Sequence, residues 1–268
     1  MARAKRHYIP GYIWHITHRC HKREFLLKFS KDRHRYLQWL YKARKRYGLC
    51  ILNYMVTSNH IHLLVADTGE RDVIPNSMQL IAGRTGQEYN QRKDRKGAFW
   101  EDRYHATAVE TDRNLIQCML CMDLNMVRAG VVGHPSEWAF SGYNEIQAPH
   151  ERYALIDYEG LRKLLNFRGM DDFADAYRGW VEESLSGYGH LRDGKWTESI
   201  AVGSEAFVTA TKETLGPRAK GRELGGGDGS YELREAPAAY NGILGHENDA
   251  LRAENAHFWD RNLGISID

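Results

Sequence analysis

The sequence predicts an α+β fold built on an antiparallel sheet. Three observations indicate this class. Short segments alternate apolar and polar residues with the period of a strand, as residues 12–17 do. Two such segments are separated only by Ser58 and Asn59, a turn pair that favours an antiparallel hairpin. Longer segments with apolar residues at helical spacing lie between the strands, so helices and strands alternate along the chain.

The first predicted elements are a strand, a basic loop and a helix. The strand covers residues 8–18 and the loop covers residues 19–29. The helix begins at Ser30, because a serine can cap the free N–H groups of a first turn. It ends at Gly48, because glycine readily takes the left-handed conformation that closes a helix.

The remaining elements complete a split βαβ arrangement. In order, we predict strands at residues 49–57 and 60–66, a helix at 76–91 and a strand at 99–110. A last helix runs from Thr111 or Asp112 to Arg128. Gly130 ends the last helix. This order is typical of a ferredoxin-like fold, with helices on one face of the sheet.

The chain divides into two predicted parts. Residues 1–149 form the α+β domain, and residues 150–268 form a mainly helical extension. A glycine-rich flexible joint interrupts the extension at residues 216–230. Trp180 and Phe207 are its predicted core residues. The apolar residues of the last stretch are expected to pack back on the body: Tyr240, Leu244, Leu251, Phe258 and Trp259.

Composition excludes few functions but suggests where a polyanion would bind. The chain has 268 residues, is 42% hydrophobic and 27% charged, and carries a net charge of +2. Basic residues are concentrated between residues 19 and 46: Arg19, Lys22, Arg23, Lys28, Lys31, Arg33, Arg35, Lys42, Arg44, Lys45 and Arg46. They indicate either a surface that binds a polyanion or an ordinary solvated helix face.

The four cysteines and the hydropathy predict a cytoplasmic protein. Their positions, 20, 50, 118 and 121, do not form a dense disulfide framework. The basic start of the sequence is not followed by the apolar core of a signal peptide. No apolar run approaches the roughly 20 residues of a membrane span. We therefore expect a soluble protein in a reducing compartment.

Two histidines on the second hairpin strand are the strongest chemical signal. His60 and His62 are two residues apart, so they share one face of the strand with about 7 Å between their backbone positions. Their rings can converge on one divalent cation. The alternative is a hydrogen-bonded pair with no metal, because a metal site needs at least one more ligand.

The last helix of the domain carries two stripes. Leu115, Met119, Met122 and Met126 recur at spacings of four, three and four and predict a core-facing side. The second stripe is polar and reactive, and it contains Asn114, Cys118, Cys121, Asn125 and Arg128.

Two segments carry a resemblance to a known family. Residues 58–64, Ser-Asn-His-Ile-His-Leu-Leu, and 123–130, Asp-Leu-Asn-Met-Val-Arg-Ala-Gly, together resemble the HUH single-tyrosine transposases. Within them the sequence is most similar to the REP-associated tyrosine transposases of the IS200-like family. The resemblance covers about residues 1–150 and implies a ferredoxin-like domain that acts on single-stranded or hairpin DNA.

The resemblance also implies roles for individual residues. His60 and His62 would hold Mg²⁺ or Mn²⁺, with Asn125 as the third ligand. The family's tyrosine attacks a DNA phosphodiester, keeps the 5′ phosphate and leaves a free 3′ hydroxyl. That tyrosine belongs one helical turn before Asn125, so His60, His62 and position 121 form the implied catalytic set.

Position 121 is the main departure from the family, because it is Cys121. A thiolate, with an ordinary pKa of about 8.5, is an able nucleophile, but a sulfur–phosphorus bond is an unusual link to DNA. Tyr89 and Tyr104 are candidate substitutes. Met126 replaces an expected proline.

Three functions remain open from the sequence. The first is metal-dependent nicking and transfer of single-stranded DNA. The second is a DNA- or RNA-binding protein whose transposase site is inactive. The third is a Zn²⁺ site formed by Cys118, Cys121, His60 and His62.

A set of basic residues is predicted to contact the nucleic acid: Arg19, Lys22, Arg23, Arg84, Arg103 and Arg128. Trp100 and Tyr104 could stack on bases or belong to the core. The expected partner is single-stranded or hairpin DNA, and a homodimer is a further candidate assembly.

Overall fold

A seven-stranded sheet is the centre of this computed structural model, which describes residues 9–187, 193–227 and 230–235. The strands are β1 (Ile13–Arg19), β2 (Cys50–Val56), β3 (His60–Ala66), β4 (His105–Val109), β5 (Ala201–Gly203), β6 (Arg222–Gly227) and β7 (Ser230–Glu235). Their order across the sheet is β2-β3-β1-β4-β5-β7-β6.

Nine α-helices are present in the described part of the chain. They are α1 (Ser30–Tyr47), α2 (Val73–Arg92), α3 (Arg113–Asp123), α4 (Asn125–Arg128), α5 (Gly142–Gln147), α6 (Tyr158–Leu164), α7 (Met170–Ser186), α8 (Lys195–Glu198) and α9 (Glu205–Leu215). None of the helices described here is both long and apolar enough to cross a membrane.

The first four strands confirm the predicted split βαβ arrangement. β3 and β4 both pair with β1 in the antiparallel sense, and β2 pairs with β3. The resulting order, β2-β3-β1-β4, is that of a ferredoxin-like sheet with β1 inside it. Helix α1 ends at Gly48, whose left-handed φ of 73° is the conformation expected of a closing glycine.

Helices cover both faces of the sheet, which corrects the expectation of helices on one face. On one face, His18 stacks on Trp100 with ring centroids 4.1 Å apart, and Trp100 donates a hydrogen bond to the Ala82 carbonyl of α2. On the other face, His62 contacts Asn125 of α4. The reason is that β1 and β3 are buried along almost their whole length, so apolar or neutral side chains on both sides need cover.

The C-terminal extension contributes three strands as well as helices. β5 pairs in parallel with β4 through Ala108–Ala201 and Val109–Val202, and the β6–β7 hairpin continues the sheet. These strands escaped sequence reading because β5 has only three residues and β6 ends in glycines, which are rare in strands.

The structure revises the predicted flexible joint and the predicted core residues of the extension. Residues 222–227 of the predicted flexible joint are strand β6. Trp180 and Phe207 are only partly buried, although both pack against the core. The apolar residues 240–259 lie outside the described residues, and the division of the chain at residue 149 stays a prediction.

The helix predicted to run through Arg128 is interrupted. It divides into α3 and α4 at Leu124, whose φ and ψ are −77° and 1°. The Leu124 N–H still bonds to the Leu120 carbonyl, and the Arg128 N–H to the Leu124 carbonyl. The direction of the helix is therefore kept, while Asn125 begins a new short turn.

A buried carboxyl group ties this helix to the sheet and to the extension. Asp123 is fully buried and accepts hydrogen bonds from Asn53 of β2 at 3.1 Å and from the Tyr177 hydroxyl of α7 at 2.6 Å. Its second oxygen, Oδ1, has no hydrogen-bond partner. Burial raises the pKa of Asp123 to about 7, against the two hydrogen bonds that lower it.

We expect Asp123 to make folding less favourable as pH rises from about 4 to about 7. In this window the folded protein holds a proton on Asp123 that the unfolded chain has released, so the free energy of unfolding falls by up to about 1.4 kcal/mol per pH unit. Replacing it by asparagine (D123N) should remove this slope.

Urea unfolding of both proteins from pH 4 to pH 8 measures the difference. Asp175→Asn is the matched control, because Asp175 lies on α7 with an exposed side chain. A difference between wild type and D123N that does not change with pH would contradict the prediction.

Candidate active site

The two sequence-predicted histidines lie side by side at the start of β3. Their rings meet edge to face, with centroids 4.9 Å apart and an angle of 80° between their planes. His62 is 6% exposed, while His60 is partly buried. The antiparallel register places Arg19 opposite His60 and Thr17 opposite His62, so all four side chains share one face of the sheet.

His62 has a polar partner at each ring nitrogen. Its Nδ1 lies 2.9 Å from Nε2 of His15, and its Nε2 lies 3.3 Å from Nδ2 of Asn125. Burial is the largest cause that lowers the pKa of His62 well below its ordinary value, followed by the charge on His60. His62 is therefore a neutral imidazole at neutral pH, as a metal ligand must be.

His60 is held by the turn that precedes it. Its Nδ1 lies 3.0 Å from Thr57 Oγ1 and 2.6 Å from Asn59 Oδ1. The Thr57 hydroxyl also donates to the His60 carbonyl and accepts from the His60 N–H. The hairpin turn thus sets the orientation of the imidazole as well as that of the backbone.

The arrangement fits the donor set of a divalent cation. His60 and Asn125 each lie next to His62, so the three residues that the resemblance implied are neighbours. The oxygen and nitrogen of the Asn125 amide are assigned from hydrogen bonding, and a half-turn of the amide would offer Oδ1 in place of Nδ2. Two imidazole nitrogens and one amide oxygen would leave coordination positions open for water or phosphate oxygens.

Cys121 lies on the last turn of α3, beside Arg128. The Arg128 guanidinium donates to the Cys121 carbonyl, and Nη2 lies 3.6 Å from the sulfur. Burial raises the pKa of the Cys121 thiol, and Asp193 adds to that effect, while Arg128 and Lys195 oppose it. The net effect is a raised pKa, which favours the thiol over the thiolate.

The four-ligand zinc alternative is not assembled. Cys118 is fully buried in the core, where burial raises the pKa of its thiol well above the ordinary value. Over residues 9–187, which include all four proposed ligands, no group of three or more His, Cys, Asp or Glu side chains is placed to hold a metal ion. The cysteines and the histidines therefore do not form one site.

The basic residues predicted to contact nucleic acid separate into two groups. Arg19 and Arg128 both lower the pKa of His62, so their charges act at the site. Lys22 and Arg23 occupy a short turn next to the hairpin, where Asn59 donates to the Arg23 carbonyl at 3.4 Å.

The other two basic residues are Arg103 and Arg84. Arg103 is exposed, in the loop that follows the bridge between Cys20 and Trp100. Arg84 lies on α2, on the opposite side of the sheet, with its guanidinium over the Trp39 ring. Arg84 is therefore not part of the histidine site.

The structure also revises the roles predicted for Trp100, Tyr104 and Tyr89. Trp100 is held between His18 and α2, and Tyr104 is buried, so both belong to the body of the protein. Tyr89 packs edge to face on Phe99, on the side of the sheet away from Asn125, so it does not replace a nucleophile at position 121.

Sequence reading missed two groups at this site. His15 contacts His62, and the Trp196 carbonyl, from the C-terminal extension, lies 2.7 Å from Nδ1 of His15. His15 shares its strand face with Thr17, so period-two reading could have flagged it. The Trp196 carbonyl is a backbone group 181 residues further along the chain, so no sequence pattern predicts its contact with His15.

Sequence reading also missed two exposed aromatic side chains in the loop that follows β1. Phe25 is 43% exposed and Phe29 is 54% exposed, in the basic loop between β1 and α1. The loop is attached to the hairpin turn by the Leu27 N–H, which bonds to the Ser58 carbonyl at 2.9 Å. Lys28 and Lys93 both approach the Phe29 ring.

Comparisons with known proteins agree with the resemblance over the first part of the chain. Residues 9–118 match the protein-family model described as "Transposase IS200 like". The match contains His60 and His62 and ends before Cys121 and Asn125. Among curated proteins, no match is found.

Two solved structures are similar to this chain. One is the REP-associated tyrosine transposase bound to a REP hairpin, with 19% identity and a TM-score of 0.48, over 56% of this chain and 87% of that one. The other is a protein of Deinococcus radiodurans R1 described as a transposase, with 17% identity and a TM-score of 0.32, over 41% and 87%. Residues 9–118 of this chain are thus similar to the IS200-like transposase family.

Proposed function

We propose that this protein binds single-stranded or hairpin DNA together with Mg²⁺ or Mn²⁺ at a site formed by His60, His62 and Asn125. The observation that carries the proposal is that His62 contacts both other residues, with its ring centroid 4.9 Å from that of His60 and its Nε2 3.3 Å from the Asn125 amide nitrogen. A divalent cation bound there would neutralise charge on a DNA phosphate. The similarity of residues 9–118 to a transposase family supports DNA as the ligand.

Basic side chains next to the histidines support a bound phosphate backbone. Arg19 lies opposite His60 on the neighbouring strand, and Arg128 lies beside Cys121. Lys22 and Arg23, both exposed, continue this positive surface along the loop. A strand that crosses the histidines would meet all four cations, and counterion release would then drive much of its binding.

Phe25 and Phe29 supply flat apolar surfaces at the edge of the same region. Aromatic rings that are exposed next to lysines are typical stacking platforms for the bases of a single strand. In this proposal the cations hold the backbone and the phenyl rings hold unpaired bases. Such contacts would favour single strands and hairpin flanks over an uninterrupted duplex.

The wild-type protein binds DNA without cutting it, in this proposal. Cleavage would require a thiolate at position 121, and burial works against that form. The competing candidate is a nickase in which Arg128, 3.6 Å from the sulfur, stabilises the thiolate enough for attack on phosphorus. RNA as an alternative ligand and a homodimeric assembly stay predictions.

Arg19 should contribute to the salt dependence of DNA binding, while Arg84 should not. Replacing Arg19 by glutamine should weaken binding of a hairpin with single-stranded flanks and reduce the log–log salt slope by about 0.7, the value for one single-strand phosphate contact. Arg84→Gln is the matched control, because Arg84 lies across the sheet from the site. Fluorescence anisotropy at several salt concentrations gives both slopes, and equal slopes for the two variants would contradict the placement.

The loop phenylalanines should contribute base stacking. Replacing Phe25 and Phe29 together by alanine should weaken binding of single-stranded DNA, since each stacked base contributes about 1–3 kcal/mol. Tyr153→Ala serves as control, since Tyr153 is 75% exposed and contacts Tyr41 of α1. The same titration against a blunt duplex should show little change. An equal loss for single strand and duplex would argue against stacking.

A tyrosine at position 121 should convert binding into cleavage. In Cys121→Tyr, the phenol oxygen would attack phosphorus, the 3′ oxygen would leave and take up a proton, and the 5′ phosphate would stay on the protein. With Mn²⁺ and end-labelled DNA, we expect a covalent adduct from Cys121→Tyr only. Cys121→Phe, which has the same size without the hydroxyl, should bind DNA and form no adduct.

The outcomes separate the two candidate functions. An adduct from the wild-type protein that is lost in Cys121→Ser would show that the thiol is a nucleophile, which would overturn the binding-only proposal. Binding by all variants with no adduct from Cys121→Tyr would show that position 121 does not reach the scissile phosphate.

A further inference from the structure

We propose that His15 is a positioning residue that holds His62 in the one neutral tautomer whose Nε2 is free to bind a cation, and that the C-terminal extension orients His15 for this task. The inference deepens the proposed function and rests on it for the role of the cation. It concerns three groups that two hydrogen bonds connect in series: the Trp196 carbonyl, the His15 ring and the His62 ring.

The direction of each hydrogen bond follows from the carbonyl. A carbonyl oxygen can only accept, so Nδ1 of His15, 2.7 Å away, must carry the hydrogen. A neutral imidazole has one N–H, which leaves Nε2 of His15 as an acceptor. The atom 2.9 Å from it is Nδ1 of His62, which must therefore donate. Nε2 of His62 is then left without a hydrogen.

The surroundings agree with this assignment. His15 is 1% exposed and His62 is 6% exposed, and their ring planes differ by only 4°, so the bond between them is sheltered and well aligned. On the far side, the amide nitrogen of Asn125 lies 3.3 Å from Nε2 of His62. The Asn125 amide can turn either its nitrogen or its oxygen to that atom, so the tautomer is set by the His15 side of the ring.

The extension fixes the Trp196 carbonyl by several contacts. Trp196 is 2% exposed, and the Thr107 hydroxyl of β4 lies 3.2 Å from the same carbonyl oxygen. The one hydrogen of that hydroxyl goes to the closer Ser199 carbonyl, 2.6 Å away. Because β5 follows directly and pairs with β4, this stretch is held against the sheet at two points. The extension thus acts on the site through its backbone.

A matched pair of variants separates positioning from packing. His15→Phe fills the same space but can neither donate to the carbonyl nor accept from His62. His15→Gln keeps a donor and an acceptor at opposite sides of one planar amide, so it can make both contacts. A purely structural role predicts that phenylalanine is tolerated in the buried site at least as well as glutamine.

Nitrogen-15 spectra of the histidine rings test the tautomer without any metal. In the wild-type protein without added metal, we expect the hydrogen of His62 on Nδ1 and none on Nε2. His15→Phe should show a mixture of both tautomers, and His15→Gln should restore the wild-type pattern. A hydrogen on Nε2 of wild-type His62 would overturn the inference, and this measurement needs no variant to fold.

Calorimetric titration with MnCl₂ tests the consequence. Loss of an outer hydrogen-bond partner typically lowers metal affinity 10- to 100-fold, and we expect a loss in this range for His15→Phe with recovery in His15→Gln. Equal affinity in wild type and His15→Phe would overturn the positioning role. A wild-type protein that binds no Mn²⁺ but shows the expected tautomer would overturn the proposed function while it supports the hydrogen-bond relay.

Discussion

The pairing of β1 with β3 is the constraint on which the site depends. Because strand side chains alternate with a period of two, this register places His15 and Thr17 on the same face as His62. A slip of one residue would turn His15 to the opposite face and separate it from its partner. The interior position of β1, between β3 and β4, opposes such a slip, because two registers would have to change at once.

Burial on both faces of the sheet gives the site its electrostatic character. Helices α1 and α2 cover one face, and the segment from α3 to α4, together with α8, covers the other around His62 and His15. Burial lowers the pKa of His15 to about 4 and that of His62 well below its ordinary value, so both rings are neutral at neutral pH. Burial also raises the pKa of the Cys121 thiol. One physical cause thus favours neutral imidazoles and a protonated thiol.

The C-terminal extension contacts residues at the site directly. The family match ends at residue 118, yet the Trp196 carbonyl holds His15, and Tyr177 holds the Asp123 carboxyl two residues before Asn125. Part of the support for the site therefore comes from outside the matched segment.

Local patterns were sufficient for much of the fold and for the central residues of the site. Alternation and turn residues predicted the β2–β3 hairpin, and the two-residue spacing put His60 and His62 on one face. The four-residue spacing that puts Cys121 and Asn125 on one helix face was also visible in the sequence. These features depend on contacts within a few residues, where backbone geometry alone decides which side chains are neighbours.

Long-range contacts lay beyond the reach of such patterns. The strands β5 to β7, the cover on both faces of the sheet, and the separation of Arg84 from the other arginines all depend on packing between distant segments. The sequence by itself put His60 and His62 on one strand face, and the family resemblance added Asn125 as a predicted third ligand. Only the tertiary structure decided which ring nitrogen of His62 is free, because that depends on His15 and on a carbonyl oxygen 181 residues further along the chain.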